Sequence, residues 1–239
     1  GVMAYGTLYL IPCPISDETA PWDVLPAANR AVMNALDYFI VENTRSARRF
    51  LSKAGVERPI GELEFRELNE HTAAGREVEE LVKPLLDGRS AGVISEAGVP
   101  GVADPGALVV EACHRRGIRV VPLVGPSSII LAVMASGLNG QSFAFNGYLP
   151  VKPPERAKAI RFFERRAQTE GQSQLFIEAP YRNGKLMEQL VQTLGAETRL
   201  TVAVDLTAPG ERVETHTAGE WRRRQLPELN KRPAIFIIG

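Results

Sequence analysis

The sequence contains few of the residues from which metal sites, disulfide frameworks and redox centres are built. Its 239 residues include two cysteines, Cys13 and Cys113, and three histidines. The two cysteines lie far apart in the chain, and neither a Cys-x-x-Cys pair nor a zinc-ligand spacing is present. The composition therefore predicts no metal and two reduced, structural thiols, as expected for a cytoplasmic protein.

The sequence also lacks an excess of one charge, long apolar runs and nucleotide-binding fingerprints. Lys and Arg total 28 and Asp and Glu total 28, and this balance argues against a protein that coats nucleic acid but allows a local basic patch. No apolar run reaches the roughly 18 residues of a membrane span, and the first residues lack a signal-peptide pattern. The absence of GxxxxGKS/T excludes a P-loop, and the absence of GxGxxG leaves a dinucleotide fold unsupported.

What is present is an alternation of short apolar runs with helical periods. In the first half, the apolar runs predict strands at 7–11, 38–41, 63–68, 90–94 and 118–123. Alternating strands and helices predict a mostly parallel sheet that is covered on both faces. In such a sheet, ligands bind beyond the carboxyl ends of the strands.

The second half is less regular and predicts a mixed sheet. Strands are expected at 142–145, 175–178, 200–204, 213–217 and 234–238. The alternating pattern of 213–217 is typical of an antiparallel edge strand. The sequence thus predicts an α/β protein with an N-terminal domain at 1–123 and a C-terminal domain at 124–239.

Two loops rich in glycine and proline follow predicted strands. The first, SEAGVPGVADPG, spans residues 95–106 and leads into a predicted helix, which Asp104 is suited to cap and Pro105 to begin. Gly98 and Gly101 would allow the backbone to approach a ligand closely, and the helix start offers unpaired amides. The alternative is a tight connecting loop that binds no ligand.

The second loop is VGPSS at residues 124–128, between a predicted strand and an apolar helix. Ser127 and Ser128 would place hydroxyl groups and backbone amides at a helix start. That arrangement suits a carboxylate, such as the methionine end of S-adenosylmethionine, and simple helix capping is the alternative.

Together with further motifs in the same order, these loops resemble the tetrapyrrole methylase family. The further motifs are GTLY at 6–9, ENTR at 42–45, NEH at 69–71, GYLP at 147–150, FIEAPYR at 176–182 and the terminal strand at 233–239. Within the family, the sequence is most similar to the branch that methylates a ribose 2′-hydroxyl of small-subunit ribosomal RNA. The joint order and spacing of the motifs carry the resemblance.

The resemblance implies an S-adenosylmethionine-dependent methyltransferase with two α/β domains and the cofactor in a cleft between them. It also implies a homodimer, ribosomal RNA or the small ribosomal subunit as the partner, and no metal or membrane. The implied cofactor-binding residues are Pro12, Ser95, Glu96, Ala97, Gly98, Val99, Val102, Asp104, Ser127, Ser128, Tyr148, Leu149, Pro233 and Ala234.

The sequence departs from this branch at several polar positions. Asn43 and Glu96 stand where the branch usually has aspartate, Tyr181 where it has histidine, and Ala103 where it has asparagine. These departures leave alternatives to ribosomal RNA open. They are a small porphyrinoid-like acceptor, a protein acceptor, or a cofactor-binding relative without turnover.

Six polar residues are candidates for orienting an acceptor hydroxyl or removing its proton. They are Glu42, Thr44, Arg45, His71, Glu178 and Arg182. General-base help typically contributes about 10²–10⁴-fold, and His71 is the preferred base because an imidazole titrates near neutral pH. The alternatives are a helix cap for Thr44 and surface ion pairs or structural roles for the others. If the acceptor is RNA, Arg45 and Arg48 of a predicted basic helix are expected to contact phosphates.

Overall fold

The computed structural model describes residues 4–71 and 75–239. The chain divides into two compact units, Gly1–Ser127 and Ser128–Gly239. Each unit contains one five-stranded sheet with helices packed on it.

The sequence predicts a mostly parallel sheet for the first unit, and every strand pair of that sheet in the described residues is parallel. Its strands are β1 (Leu8–Leu10), β2 (Tyr38–Val41), β3 (Glu64–Glu67), β4 (Ala91–Ile94) and β5 (Val120–Pro122). Their order across the sheet is β3-β2-β4-β1-β5, so β1 lies between β4 and β5. This order brings the carboxyl ends of β1, β2 and β4 to adjacent places on one edge, where a ligand site is expected.

Five α-helices of the first unit are described. They are α1 (Pro21–Val24), α2 (Asn29–Ala35), α3 (Thr44–Ala54), α4 (Arg76–Leu86) and α5 (Gly106–Arg116). The pattern of 24–35 predicts one continuous helix, but Pro26 separates α1 from α2. A residue before proline avoids the helical region, and Leu25 is accordingly extended, with φ −108° and ψ 140°.

Alternate residues of β2 face opposite sides of this sheet. Tyr38 and Ile40 pack in one core cluster with α4 and α5, whereas Phe39 and Val41 pack in a second cluster with α3. All four side chains are buried, which explains why the strand appears in the sequence as a continuous apolar run.

The sheet of the second unit is mixed, which confirms the predicted fold class. Its strands are β6 (Phe143–Tyr148), β7 (Ser173–Ile177), β8 (Arg199–Val204), β9 (Arg212–Thr217) and β10 (Ala234–Ile238). The order is β6-β7-β10-β8-β9, with β6 and β7 parallel and the remaining pairs antiparallel. Strand β9 is the antiparallel edge strand that the alternating sequence pattern predicts.

Helices cover both faces of the second sheet. They are α6 (Ser128–Ser136), α7 (Pro153–Glu170), α8 (Asn183–Thr193) and α9 (Ala218–Arg222). Phe236 and Ile238 of β10 pack in the cluster formed with α7, α8 and α9, and Ile235 and Ile237 pack in the cluster that includes α6.

Both cysteines are free and buried, which agrees with the structural role expected of them. Burial raises the pKa of Cys13 to about 12 and that of Cys113 to about 11, so reactive thiolate is scarce at neutral pH. Across residues 4–71 and 75–239, no helix is long and apolar enough to cross a membrane. In the same residues, no group of three or more His, Cys, Asp or Glu side chains could hold a metal ion.

Candidate active site

Three loops meet at the carboxyl edge of the parallel sheet. The loop of residues 95–106 follows β4, and the amide of Cys13, which follows β1, donates to the Gly98 carbonyl at 3.0 Å. The third loop, at residues 124–126, lies against both others. A Cβ at Gly125 would lie 2.1 Å from Pro12 Cβ, and one at Gly98 would lie 3.2 Å from the Pro126 carbonyl oxygen. This packing depends on glycine at Gly125 because no larger residue fits there.

The loop after β4 has an unusual backbone. Gly98 and Gly101 have φ of 68° and 86°, and Ala103 has φ of 58°, all in the left-handed region. Glycine adopts this region without strain, and asparagine, the usual residue of the branch at position 103, adopts it more readily than alanine does. Asp104 stabilises the loop, because its Oδ1 accepts from the amides of Gly101 and Gly106, each at 2.8 Å.

The sequence predicts Asp104 as the N-cap and Pro105 as the first helical residue, but α5 begins at Gly106 with Pro105 as its N-cap, so the predicted helix start is one residue early; Asp104 still binds the Gly106 amide at that start. Burial raises the pKa of the Asp104 carboxyl, and the two amide hydrogen bonds partly oppose that shift. The carboxylate is thus committed to shaping the loop.

An apolar pocket of about 350 Å³ opens beside these loops. Pro12, Val99 and Val102, three of the predicted cofactor-binding residues, line it together with Leu123 and Val110. Val102 is 48% exposed, a high fraction for an apolar side chain next to a pocket. These three predicted residues thus share one surface, although they come from two loops far apart in the sequence.

Glu42 is the predicted catalytic residue with the most perturbed surroundings in the first unit. It directly follows β2, and its Oε2 accepts from the amide of Glu96 at 3.1 Å. Burial raises the pKa of its carboxyl, the Glu96 amide partly opposes this, and the charges of Asp104, Glu96 and Glu70 raise it further. A carboxyl group with a raised pKa at a strand end is a candidate proton acceptor.

We expect Glu42→Gln to slow methyl transfer by about 10²–10⁴-fold if Glu42 accepts the proton. The substitution should also increase stability at neutral pH. Because the pKa of Glu42 is raised by folding, the ionised carboxylate is less favourable in the folded than in the unfolded chain above that pKa. The stability that the glutamine variant gains over the wild type should decrease as the pH falls below the pKa of Glu42 in the folded protein and approaches the ordinary pKa of glutamate.

Chemical unfolding of both proteins at several pH values, with single-turnover rates, would measure both effects. Glu62→Gln, at an exposed position on the same unit, is the control and should change neither quantity. A variant that keeps the full rate would exclude Glu42 as the base.

The other predicted residues of this unit lie nearby but in more solvated places. Thr44 is the first residue of α3, and Asn43 rather than Thr44 provides the cap, since its side chain accepts from the Ser46 amide at 2.9 Å. Asparagine and aspartate cap helices about equally well, so Asn43 preserves this helix start. The His71 side chain is 86% exposed, with Nε2 3.8 Å from Glu70 Oε1.

In the second unit, Glu178 and Arg182 form an ion pair. The Glu178 side chain is 1% exposed, and its Oε1 accepts from Arg182 Nε at 3.2 Å and from the Ala179 amide at 2.7 Å, with Arg182 Nη2 3.1 Å away in the same ion pair. Its Oε2 lies 3.8 Å from Nη1 of Arg156, whose side chain is 5% exposed, and has no hydrogen-bond partner in the described chain. Gln189 Oε1 accepts from Arg156 Nε at 2.5 Å.

The remaining predicted residues of this unit differ in exposure. Tyr148, at the end of β6, is 64% exposed, whereas Leu149 is buried in the core, so its side chain packs rather than faces solvent. Ala234 is buried at the start of β10, and Pro233 precedes it. Tyr181 lies against Arg182, whose guanidinium is 4.6 Å from the ring centroid and donates to the Tyr181 hydroxyl.

Sequence reasoning missed two features of these sites. Arg156 belongs to a helix rich in exposed charges, and nothing in its local pattern distinguishes it from Arg161 or Arg165. The close packing of Gly125 on Pro12 joins residues more than a hundred positions apart, and only the Gly-Pro dipeptide hinted at it.

Comparison with known proteins agrees with this architecture. The family model described as Tetrapyrrole (Corrin/Porphyrin) Methylases matches residues 8–221. Among solved structures, the methyltransferase CobJ is similar with a TM-score of 0.62 and 17% identity, covering 99% of this chain and 94% of that chain. Uroporphyrin-III-C-methyltransferase from Thermus thermophilus gives a TM-score of 0.54 and 19% identity, covering 98% and 94%. These structures show the shared fold.

Two relatives found by sequence share more identical residues with this chain than those two structures do. Ribosomal RNA small subunit methyltransferase I of Xylella fastidiosa (strain Temecula1) is 32% identical over 98% of this chain and 80% of that protein. The protein of that name from Escherichia coli O157:H7 is 32% identical over 98% of this chain and 77% of its own. This protein therefore belongs to the tetrapyrrole (corrin/porphyrin) methylase family and is a methyltransferase that uses S-adenosylmethionine as its methyl donor.

Proposed function

We propose that this enzyme methylates ribosomal RNA of the small subunit, at a ribose 2′-hydroxyl. The observation that carries the proposal is the 32% identity to ribosomal RNA small subunit methyltransferases I over 98% of the chain. A ribosomal substrate also agrees with a cytoplasmic location, which we include in the proposal.

The loops at the carboxyl edge of the first sheet fit the methyl donor. Pro12, Val99 and Val102 offer an apolar surface, and the positive φ of Gly98 and Gly101 brings backbone rather than side chains to the loop surface. Glu42 and Glu96 add carboxylates, which suit a cationic ligand. We propose that these residues hold S-adenosylmethionine, together with Ser95, Ala97 and Ser127, and with Asp104 shaping the loop.

When bound, S-adenosylmethionine supplies a methyl group on a cationic sulfur, so the leaving group is already activated. The protein must then align the acceptor oxygen and receive its proton. Glu42 Oε2 is the proposed proton acceptor because it lies at a strand end with a raised carboxyl pKa. Arg182, held by Glu178, is proposed to orient the acceptor.

Labelled methyl transfer tests the acceptor directly. Wild-type enzyme should transfer label from S-adenosylmethionine to small ribosomal subunits or their RNA, and digestion should locate it on a ribose. Uroporphyrinogen serves as the small-molecule acceptor and total protein as the protein acceptor. Label in the small molecule or in protein, with none in RNA, would contradict the proposal. Label in no acceptor at all would favour a cofactor-binding protein without turnover.

We also propose a homodimer. Helix α6 is apolar around most of its circumference, and Ile130 and Met134 remain 47% and 73% exposed in the single chain. Light scattering should give about twice the 26.1 kDa of one chain. Replacing Ile130 and Met134 together by Glu should yield a monomer, and a wild-type mass of one chain would contradict the dimer.

A further inference from the structure

A polar groove of about 170 Å³ runs along α3, separate from the apolar pocket. One wall is the segment of residues 14–21 that follows β1, and the other is α3 itself. Ser95 and Glu96 of the loop after β4 line the same groove. The groove therefore reaches the Glu96 amide that contacts Glu42, within the candidate active site.

Two cations of α3 face this groove. Arg49 and Lys53 are four residues apart and lie on the same side of the helix, and both line the groove together with Ser46. Phe50, between them in sequence, is buried and fixes the rotation of the helix about its axis. The direction of these side chains thus follows from the packing of α3 on the sheet.

The charges of these two cations are largely available to a ligand. Arg49 Nη1 lies 3.7 Å from Asp17 Oδ2, but these side chains are 53% and 87% exposed, and exposed pairs of this kind are worth about 0–1 kcal/mol. Lys53 Nζ donates at 3.2 Å to the Asp17 backbone carbonyl, which carries no net charge. An anion can therefore replace these contacts at little cost, although Asp17 would have to turn away from it.

Arg48 on the same helix, which the sequence predicts to contact phosphates together with Arg45, lies outside this groove. Its guanidinium lies 5.5 Å from the centroid of the Phe65 ring, and it does not line the groove. Helix phase explains the difference, because adjacent residues are about 100° apart around an α-helix. Arg48 is therefore a control of equal charge on the same element.

We propose that this groove binds a backbone phosphate of the RNA acceptor through Arg49 and Lys53. The inference rests on the proposed function and names where that substrate is held. Arg49 offers a planar guanidinium group, Lys53 an ammonium group and Ser46 a hydroxyl group. Groups of these kinds donate hydrogen bonds to the phosphate oxygens of nucleic acids. Ser95 and Glu96 line the same groove, so a phosphate on Arg49 and Lys53 would bring a neighbouring ribose towards the strand ends where Glu42 lies, and the exposed Glu96 carboxylate, like that of Asp17, would have to turn away from the phosphate.

The test compares the double variant Arg49→Gln/Lys53→Gln with Arg48→Gln. Binding of a small-subunit RNA fragment is measured over a range of salt concentrations, because each phosphate contact contributes about 0.7–0.9 to the slope of log K against log salt. The double variant should have a slope shallower by about that amount and a higher KM for RNA, with kcat and S-adenosylmethionine affinity unchanged. Arg48→Gln should behave as wild type.

Three results would overturn the inference. In the first, the wild-type enzyme is active on RNA but the double variant has the same salt slope. This result would show that the groove holds no phosphate, and it would leave the proposed function intact. An equal loss of S-adenosylmethionine affinity would assign the groove to the cofactor. Wild-type protein that neither binds nor methylates the RNA would remove the proposed function, and the inference with it. Since Arg49 and Lys53 are exposed, unchanged thermal unfolding is expected and serves as the folding control.

Discussion

Gly98→Val is expected to abolish S-adenosylmethionine binding while leaving most of the fold in place. Gly98 has φ of 68°, where a β-branched residue is strongly disfavoured, and its Cβ would lie 3.2 Å from the Pro126 carbonyl oxygen. The loop must therefore shift away from Pro126, which disturbs the bond from the Cys13 amide to the Gly98 carbonyl. Calorimetric titration should show no saturable binding up to about 1 mM ligand.

Gly117→Val is the matched control for this experiment. Gly117 ends α5 with φ of 71°, nearly that of Gly98, and a Cβ there would meet nothing within 4 Å. It should lose some stability from backbone strain, roughly 1–2 kcal/mol, and still bind the cofactor. If folded Gly98→Val binds S-adenosylmethionine with wild-type affinity, the loop after β4 is not the cofactor site.

Glu178→Gln is expected to lower the free energy of unfolding by about 3–5 kcal/mol, as does removal of one partner from other buried ion pairs. The substitution leaves the Arg156 guanidinium buried, with a side chain 5% exposed, and removes the charge that compensates it. It also removes the charge that anchors Arg182, so the transfer rate should fall as well. Urea unfolding measures the first effect and single-turnover kinetics the second.

A second substitution and a surface pair provide the controls. Adding Arg156→Met to Glu178→Gln should recover most of the lost stability, because replacing both members of a buried pair is often close to neutral. Glu170→Gln breaks an exposed pair with Arg166 on α7, at side-chain exposures of 53% and 42%, and should cost less than about 1 kcal/mol. If Glu178→Gln costs as little stability as Glu170→Gln, the buried pair of Glu178 and Arg156 contributes no more than a surface contact does.

Local patterns predicted the elements well where a strand is buried on both faces. The apolar run at 38–41 coincides with β2, and the run at 234–238 coincides with β10, because a two-faced core demands an apolar residue at every position. The loop at 95–106, which is rich in glycine and proline, was predictable for a related reason. Its left-handed residues and its helix cap each require particular residue types.

The catalytic candidates were less predictable, because their chemistry depends on distant neighbours. His71, preferred from its intrinsic titration range, has a side chain 86% exposed, whereas Glu42 lies against the Glu96 amide with a raised carboxyl pKa. Nothing near Glu42 in the sequence announces that environment. It arises because β2 and β4 are adjacent in the sheet, which brings residues 42 and 96 together.

By itself, the sequence predicted the α/β class from the periodicity of its apolar residues, and the resemblance of its ordered motifs to the tetrapyrrole methylases predicted the family and the methyl donor. Only the tertiary structure decided which charges are buried and which face a groove. Arg156 is buried against Glu178, and Arg49 rather than Arg48 lines the groove beside α3. The physical reason is that burial and electrostatic environment are set by contacts between residues far apart in the chain, and helix phase becomes known only when the buried face is known.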